Sequence, residues 1–475
     1  MNYLSVQFAL FLAAVVLGYY LIPRRARPLW LLLASYGFYI LSSPLAAVGI
    51  FTATVFTFWM GRLVESRQER ELGRNLGCGA MALTVIVLLV YLGFYKIAPL
   101  LGPVFAGNSS GLERMAAAAT QNVIIPLGIS YYSFKLISYV VDVYWGKIPA
   151  ETNFIAFAAY VAFFPQIVAG PIQRAGDFLE QVHNLNPSIA MARSGLQRLL
   201  LGCFKKVVVA DNLALIVGMA YPGSLSPHLS TLAAFYIFPL QLFADFSALT
   251  DIAIGVGRLF GVDGPENFNE PYLATSISQY WRRWHMTLTL WLTDYVFLPL
   301  RMATRATGNW GLAFSLMVNM LLIGLWHSVS WTFAVFGLLH GVFLVVDALS
   351  AKTRSRFFKT HPRWDRAASC SGPVLTFHLV ALAMVFVRAA TIPEAFDFLS
   401  RLNAPGFQAS GILEQDTLRG LVGLAVWFLW SAIEKWQWTV PARVPVWGRW
   451  AFYYLVIASI VHYGHNAEGF IYFKF

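Results

Sequence analysis

ATGNWGLAFSLMVNMLLIGLWHSVSWTFAVFGLLHGVFLVV, residues Ala306–Val346, is a run of 41 residues with no Asp, Glu, Lys or Arg. A bilayer span needs about 20 predominantly apolar residues, so the run predicts two transmembrane passes. It carries His327 near its middle and His340 further on. Apolar spans need no titratable group for stability, and one placed there points to function. The run therefore predicts a membrane-embedded enzyme with its chemistry at His327.

The rest of the chain agrees in character. Its hydrophobic fraction is 58% and its charged fraction 12%, against about 45–50% and about 25% for soluble domains. So few charges cannot cover a water-soluble surface. Stretches free of Asp, Glu, Lys and Arg recur at Met1–Pro23, Pro28–Gly61, Asn75–Tyr95, Met115–Phe134, Thr152–Gln173, Asn212–Ala244 and Ala367–Val387. With the opening run they predict about ten to twelve hydrophobic passes, some short or broken. No interval is long enough for an appended soluble domain, and there is no internal repeat or low-complexity segment. The expected fold is an all-α polytopic membrane protein, one domain over residues 1–475.

The first apolar run lacks a basic leader and is followed by Arg24, Arg25 and Arg27. That pattern predicts an uncleaved span with its N-terminus outside. Pro28–Gly61 then reads as a hairpin turning near Ser42-Ser43-Pro44 and returning to the basic stretch Arg62–Arg74. Arg193, Arg198, Lys205 and Lys206 form a third basic cluster, and Lys352–Arg366 a fourth. The net charge of +11 is thus expected to reflect positive-inside topology and contact with membrane lipid headgroups, not nucleic acid. Cys78, Cys203 and Cys370 have no metal-like spacing and imply no disulfide framework; no metal and no bound cofactor are expected.

Phe163-Phe164-Pro165-Gln166-Ile167-Val168-Ala169-Gly170-Pro171-Ile172 embeds two prolines and a glycine in an apolar run. Each proline removes a backbone donor and bends or ends a helix. A broken or re-entrant segment beside a substrate path and a proline-terminated helix end at the interface both fit. No P-loop, Gly-x-Ser-x-Gly elbow or His-Glu-x-x-His motif occurs. Gly255-Val256-Gly257-Arg258-Leu259-Phe260-Gly261 has the wrong spacing for a dinucleotide fingerprint, and Gly257 and Gly261 read better as sites of close helix approach.

His285 lies 42 residues before His327, in Gln279-Tyr280-Trp281-Arg282-Arg283-Trp284-His285-Met286-Thr287-Leu288. Arg282 and Arg283 amid aromatics suit an interfacial girdle with snorkelling guanidinium groups. They also suit the phosphates of an acyl donor such as a CoA thioester, which a guanidinium fork binds bidentately. Asp245 and Asp251 sit in apolar sequence and must be paired; Arg258, Arg282 and Arg283 are the expected partners, with a proton relay as the alternative. His327 has Ser330 and Trp331 three and four residues on, which one continuous helix would place on a single face. A neutral imidazole, with an ordinary pKa of about 6.5, can take a proton from a hydroxyl or thiol. His340 reads as a hydrogen-bonded packing histidine.

Taken together, these segments resemble the membrane-bound O-acyltransferase (MBOAT) family, in its bacterial polysaccharide-acylating branch. The resemblance covers most of the chain. It runs through Ile125-Pro126-Leu127-Gly128, Phe164-Pro165-Gln166, Asp245-Phe246-Ser247, Glu266-Asn267-Phe268-Asn269, Trp281-Arg282-Arg283-Trp284-His285, Gly324-Leu325-Trp326-His327, Gly337-Leu338-Leu339-His340-Gly341 and Val385-Phe386-Val387-Arg388. It implies a helical core around a transmembrane tunnel, with His327 matching the family's catalytic histidine and His285 its second active-site position. Trp326, Arg282, Arg283, Trp284, Asn267 and Asp245 would line the tunnel or meet the donor. Ser328 stands where the family's motif has glycine.

The C-terminus, Phe470-Ile471-Tyr472-Phe473-Lys474-Phe475, reads either as headgroup anchoring by aromatics or, by resemblance, as an acyl relay. In the second reading Phe470, Tyr472 and Phe475 dock a partner or carry the acyl group. The resemblance implies transfer of an acyl group, acetyl first, from a cytoplasmic thioester such as acetyl-CoA to an extracytoplasmic polysaccharide, through a periplasmic transferase partner. The location would be the bacterial inner membrane. His327 would be the general base, while His285 and the arginines orient the donor or polarise its carbonyl. Two rivals stand beside this: D-alanyl transfer toward teichoic acid, and a proton-coupled transporter using Asp245, Asp251 and the histidines.

Overall fold

The computed structural model describes residues 3–68, 74–106, 125–218, 220, 228–402, 418–419, 421–426, 428, 445–464 and 470. Among the described residues all regular structure is helical, without a strand. Six helices among the described residues are long and apolar enough to cross a membrane: Pro44–Arg67, Asn75–Ala98, Thr231–Leu259, Asn309–His327, Trp331–Thr360 and Pro362–Arg388. The protein is an all-α, multi-pass membrane protein.

The expected ten to twelve hydrophobic passes, some short or broken, include these six long helices. Other apolar stretches fall wholly or partly in shorter helices: Val6–Leu21, Arg27–Ser42, Ile129–Tyr144, Phe154–Ala162 and Asp211–Gly218. Residues 115–124 of the run Met115–Phe134 lie outside the described residues. The paired-helix expectations are met where a turn former interrupts the run. Arg27–Ser42 and Pro44–Gln68 are separated by Ser43 in extended conformation, and Asn309–His327 and Trp331–Thr360 by Ser328–Ser330. The basic cluster Lys352–Arg366 is helical on both sides of a break at His361 before Pro362, where proline cannot extend the preceding helix.

The chain divides into two compact units. The first comprises Met1–Leu196 and Ala253–Pro265. In it the Phe163–Ile172 segment takes the broken form. The helix Phe154–Ala162 stops at Phe163 (φ −47°, ψ 103°), a short helix covers Phe164–Ile167, and irregular backbone follows. All of it is buried, as irregular backbone in a membrane protein must be unless it lines a cavity. Its polar groups are satisfied internally: Lys135 Nζ donates to Gln166 Oε1 at 3.0 Å, and Gln166 Nε2 donates to Gln173 Oε1 at 2.6 Å. Gly128 permits the close approach at the start of Ile129–Tyr144. Its φ is +70°, and a Cβ there would lie 1.9 Å from the Ile167 carbonyl oxygen.

The second unit comprises Gln197–Ile252 and Glu266–Phe475. The basic cluster read as headgroup contact is, at three of its four members, an internal ion-pair network. Arg198 Nε donates to Asp251 Oδ1 at 2.8 Å, with its Nη atoms on Glu266 at 2.5 Å. Lys205 Nζ reaches Asp251 Oδ2 at 2.9 Å. Lys206 Nζ reaches Asp211 Oδ1 at 2.5 Å and Asp245 Oδ1 at 2.9 Å. The aspartates are thus paired as expected, but by Arg198, Lys205 and Lys206. Arg258 instead bonds Asp263 at 2.7 Å. The π-helical turn Lys205–Ala210 turns both lysines inward, where their charges require partners.

Candidate active site

The candidate site lies wholly within the second unit, and its frame is the hairpin Asn309–His327/Trp331–Thr360. Glycines bring the two helices together. A Cβ on Gly324 would sit 2.2 Å from Phe333 O, and one on Gly337 would sit 2.5 Å from Met320 O. Small residues permit such approach between membrane helices. The first helix ends at His327, with Ser328 extended and its N–H bonded to Gly324 O. Ser330 caps the second helix, accepting from the Phe333 N–H. His327, Ser330 and Trp331 therefore do not share one helical face; Trp331 is exposed. The break leaves His327 on the last residue of a span instead of at the middle of one.

His285 is delivered by a different device. The loop Glu266–Ser276 returns against Arg283–Met286 through two backbone bonds, Asn269 N to Arg283 O at 3.0 Å and Met286 N to Asn267 O at 2.8 Å. Among the described residues only Glu270 (φ 45°) and His285 (φ 43°) are non-glycine residues with left-handed backbone. Such residues are held in place by their surroundings and cluster at functional sites. His285 then starts the helix Met286–Leu292.

The two histidines meet around Trp326. Ring centroids are 6.4 Å apart for His285–His327, 5.8 Å for His285–Trp326 and 4.7 Å for Trp326–His327. Phe246 packs edge-on against His285 at 4.8 Å. His285, which lies between the spans, is fully buried; that burial and then the adjacent His327 hold its imidazole well below the ordinary histidine value. Its Nδ1 lies 3.2 Å from Asn267 Oδ1. Beside this pair is a narrow apolar cavity of about 30 Å³, walled by Phe246, Trp281, Trp284, Phe333 and Phe336, with His327 as its one titratable lining residue among those described.

The remaining predicted positions separate into groups. Trp326 and Trp284 are buried at the site. Asn267 is fully buried and bonded to His285, not exposed to the cavity. Arg282 is exposed and Arg283 half-buried, its Nη1 donating to Glu270 O at 3.3 Å; neither lines the cavity. Asp245 is bound to Lys206. Phe470 is buried, with Lys206 Nζ 5.1 Å from its ring centroid; Tyr472 and Phe475 lie outside the described residues. His340 is fully buried and accepts from Trp281 Nε1 at 3.2 Å, the packing role expected. Sequence reasoning missed Thr287, which bonds Asn267 Oδ1 through its hydroxyl at 2.6 Å, and Lys206 as the partner of Asp245. A threonine in an apolar helix gives no signal of its own.

The chain is 36% identical to a protein named probable alginate O-acetylase from Azotobacter vinelandii, over 82% of this chain and 74% of that protein. Residues 147–372 match the model of the MBOAT, membrane-bound O-acyltransferase family. The chain belongs to the MBOAT family. The matched segment contains Asn267, His285, Trp326 and His327. A peptidoglycan O-acetyltransferase of Helicobacter pylori is 30% identical over 82% of this chain and 77% of its own length. A teichoic acid D-alanyltransferase of Bacillus subtilis is 26% identical over 70% and 83%. This MBOAT protein is accordingly a multi-pass membrane acyltransferase.

Proposed function

We propose that the protein moves an acetyl group from a cytoplasmic thioester of the acetyl-CoA type across the bacterial inner membrane, for O-acetylation of an extracytoplasmic polysaccharide. The observation that carries the reading is His327 on the wall of an apolar cavity beside buried His285 and Trp326, in a chain of this family. His327 acts as general base. It removes the proton of an acceptor hydroxyl as that oxygen attacks the thioester carbonyl. The C–S bond breaks, and the proton returns to the departing thiolate. The cavity's small apolar volume suits an acetyl methyl and offers no carboxylate to a D-alanyl ammonium. The higher identity to proteins named O-acetylases supports the same choice.

Arg282 and Arg283, outside the cavity, meet the donor's phosphates. The tail around Phe470, Tyr472 and Phe475 passes the acetyl group to a periplasmic transferase, which acts on the polymer. The test uses purified protein and radiolabelled acetyl-CoA, with wild type and His327→Ala compared for thioester turnover and for label retained on the chain. Turnover lost in a folded His327→Ala variant supports the reading, and full turnover there sinks it. Label lost in Tyr472→Phe supports the relay; full polymer acetylation in that variant ends it.

A further inference from the structure

The hydrogen bonds around Asn267 decide which nitrogen of His285 carries the proton. Asn267 Oδ1 lies 3.3 Å from the Thr287 backbone nitrogen and 2.6 Å from Thr287 Oγ1. A backbone N–H can only donate, so the atom facing it must be the amide oxygen, and the orientation of the side chain is fixed. The other end agrees, with Nδ2 donating to Thr250 Oγ1 at 3.4 Å. His285 Nδ1 faces that same oxygen at 3.2 Å. Two acceptors cannot bond each other, so Nδ1 carries a hydrogen and donates it. A charged imidazole in this buried aromatic surround would be costly, so the ring is neutral and its Nε2 holds a lone pair. Nε2 is buried and makes no hydrogen bond among the described residues.

A lone pair at Nε2 excludes one role. His285 cannot donate a hydrogen bond from that atom to a thioester carbonyl, so it does not polarise the donor. It can only accept. The His327 ring, its centroid 6.4 Å away, is too far for a direct ring N–H···N bond, which needs its nitrogens within about 3.2 Å. The separation is within reach of a small ring movement or of one intervening hydroxyl oxygen.

We infer that Asn267 and Thr287 are positioning residues that hold His285 in the Nδ1–H form, so that its Nε2 lone pair receives the N–H of His327 while that ring carries the acceptor's proton. The arrangement rests on the reading of His327 as base, and adds a group that steadies it. The proton count is unchanged. One proton moves from hydroxyl to His327 and on to the thiolate; His285 gains and loses none.

The test is nitrogen NMR of histidine-labelled protein in lipid nanodiscs, with the His285 signals assigned by their loss in His285→Phe. Expected are a protonated Nδ1 and an unprotonated Nε2. In Asn267→Leu the preference disappears, and kcat for acetyl transfer falls at least tenfold with KM for acetyl-CoA unchanged. Thr287→Val removes the hydroxyl but keeps the backbone N–H, so it produces a smaller loss of both the preference and kcat. A protonated Nε2 in the wild type overturns the inference, as does wild-type kcat in an Asn267→Leu protein whose His285 has lost the preference. If Asn267→Leu does not fold, the wild-type spectrum and Thr287→Val still decide. Activity retained in His327→Ala would instead sink the base assignment while leaving the tautomer result standing.

Discussion

The ammonium of Lys206 lies 5.1 Å from the ring centroid of Phe470 and 2.9 Å from Asp245 Oδ1. A cation, an aromatic face near the C-terminus and a buried carboxylate thus share one point in the second unit. Phe470→Ala should destabilise the detergent-solubilised protein by about 3–5 kcal/mol, the usual cost of deleting a buried aromatic ring. Lys206→Met should cost a similar amount by removing the cation paired with both Asp211 and Asp245. Combined with Asp245→Asn it should cost less than the sum of the single changes, because the residues share one network. Thermal unfolding of the single and double variants checks this; strict additivity would contradict it.

Closure of the helical hairpin depends on two glycines. Gly324→Ala and Gly337→Ala place a methyl 2.2 Å and 2.5 Å from opposing backbone oxygens. Overpacking of this kind costs about 1–3 kcal/mol. Each variant should also lose acetyl transfer through displacement of His327. A crosslink between cysteines placed on the two helices should form more slowly in each variant than in the parent.

Ser330 ends the break after His327 by capping the next helix. Ser330→Ala should lower stability by about 1 kcal/mol, and Ser330→Asn should restore it, since asparagine caps comparably well. Melting curves of the three proteins separate the cap from any other role of the hydroxyl.

The imidazole of His285 is held neutral by burial and then by His327. Its folded value lies below the unfolded one of about 6.5, so the unfolded chain binds the proton first. Stability from this residue is complete above pH 6.5 and declines as the pH falls below it. The wild type should lose more stability than His285→Phe between pH 7.5 and pH 5. Parallel losses would refute the assignment.

The membrane class and the Ser43 turn were legible because each rests on composition or on a local interruption of apolar sequence, whereas the break after His327 was not, since Ser330 and Trp331 have the spacing of one continuous helix. Nor was pairing in the charge network. Asp245 and Asp251 advertise a need for cations, but nothing in their own segment points to Arg198, on the helix Ile189–Phe204, or to Lys205 and Lys206, on the π-helical turn that follows it. The number of long spans was also hidden, because apolar content alone does not separate a full pass from a sixteen-residue helix such as Val6–Leu21. At the site, both histidines and Trp326 stood out as rare groups in apolar sequence. The link from Asn267 through Thr287 to His285 depends on a loop folding back, and no periodicity records that.

His285 adopts φ 43°, a conformation that glycine tolerates without cost and a histidine does not. Glycine at that position would relax the backbone, yet it would remove the ring that packs against Trp326 and His327. Stability alone would favour glycine there, so the backbone tension at His285 is a cost that the surrounding fold has to carry to keep an imidazole at this point.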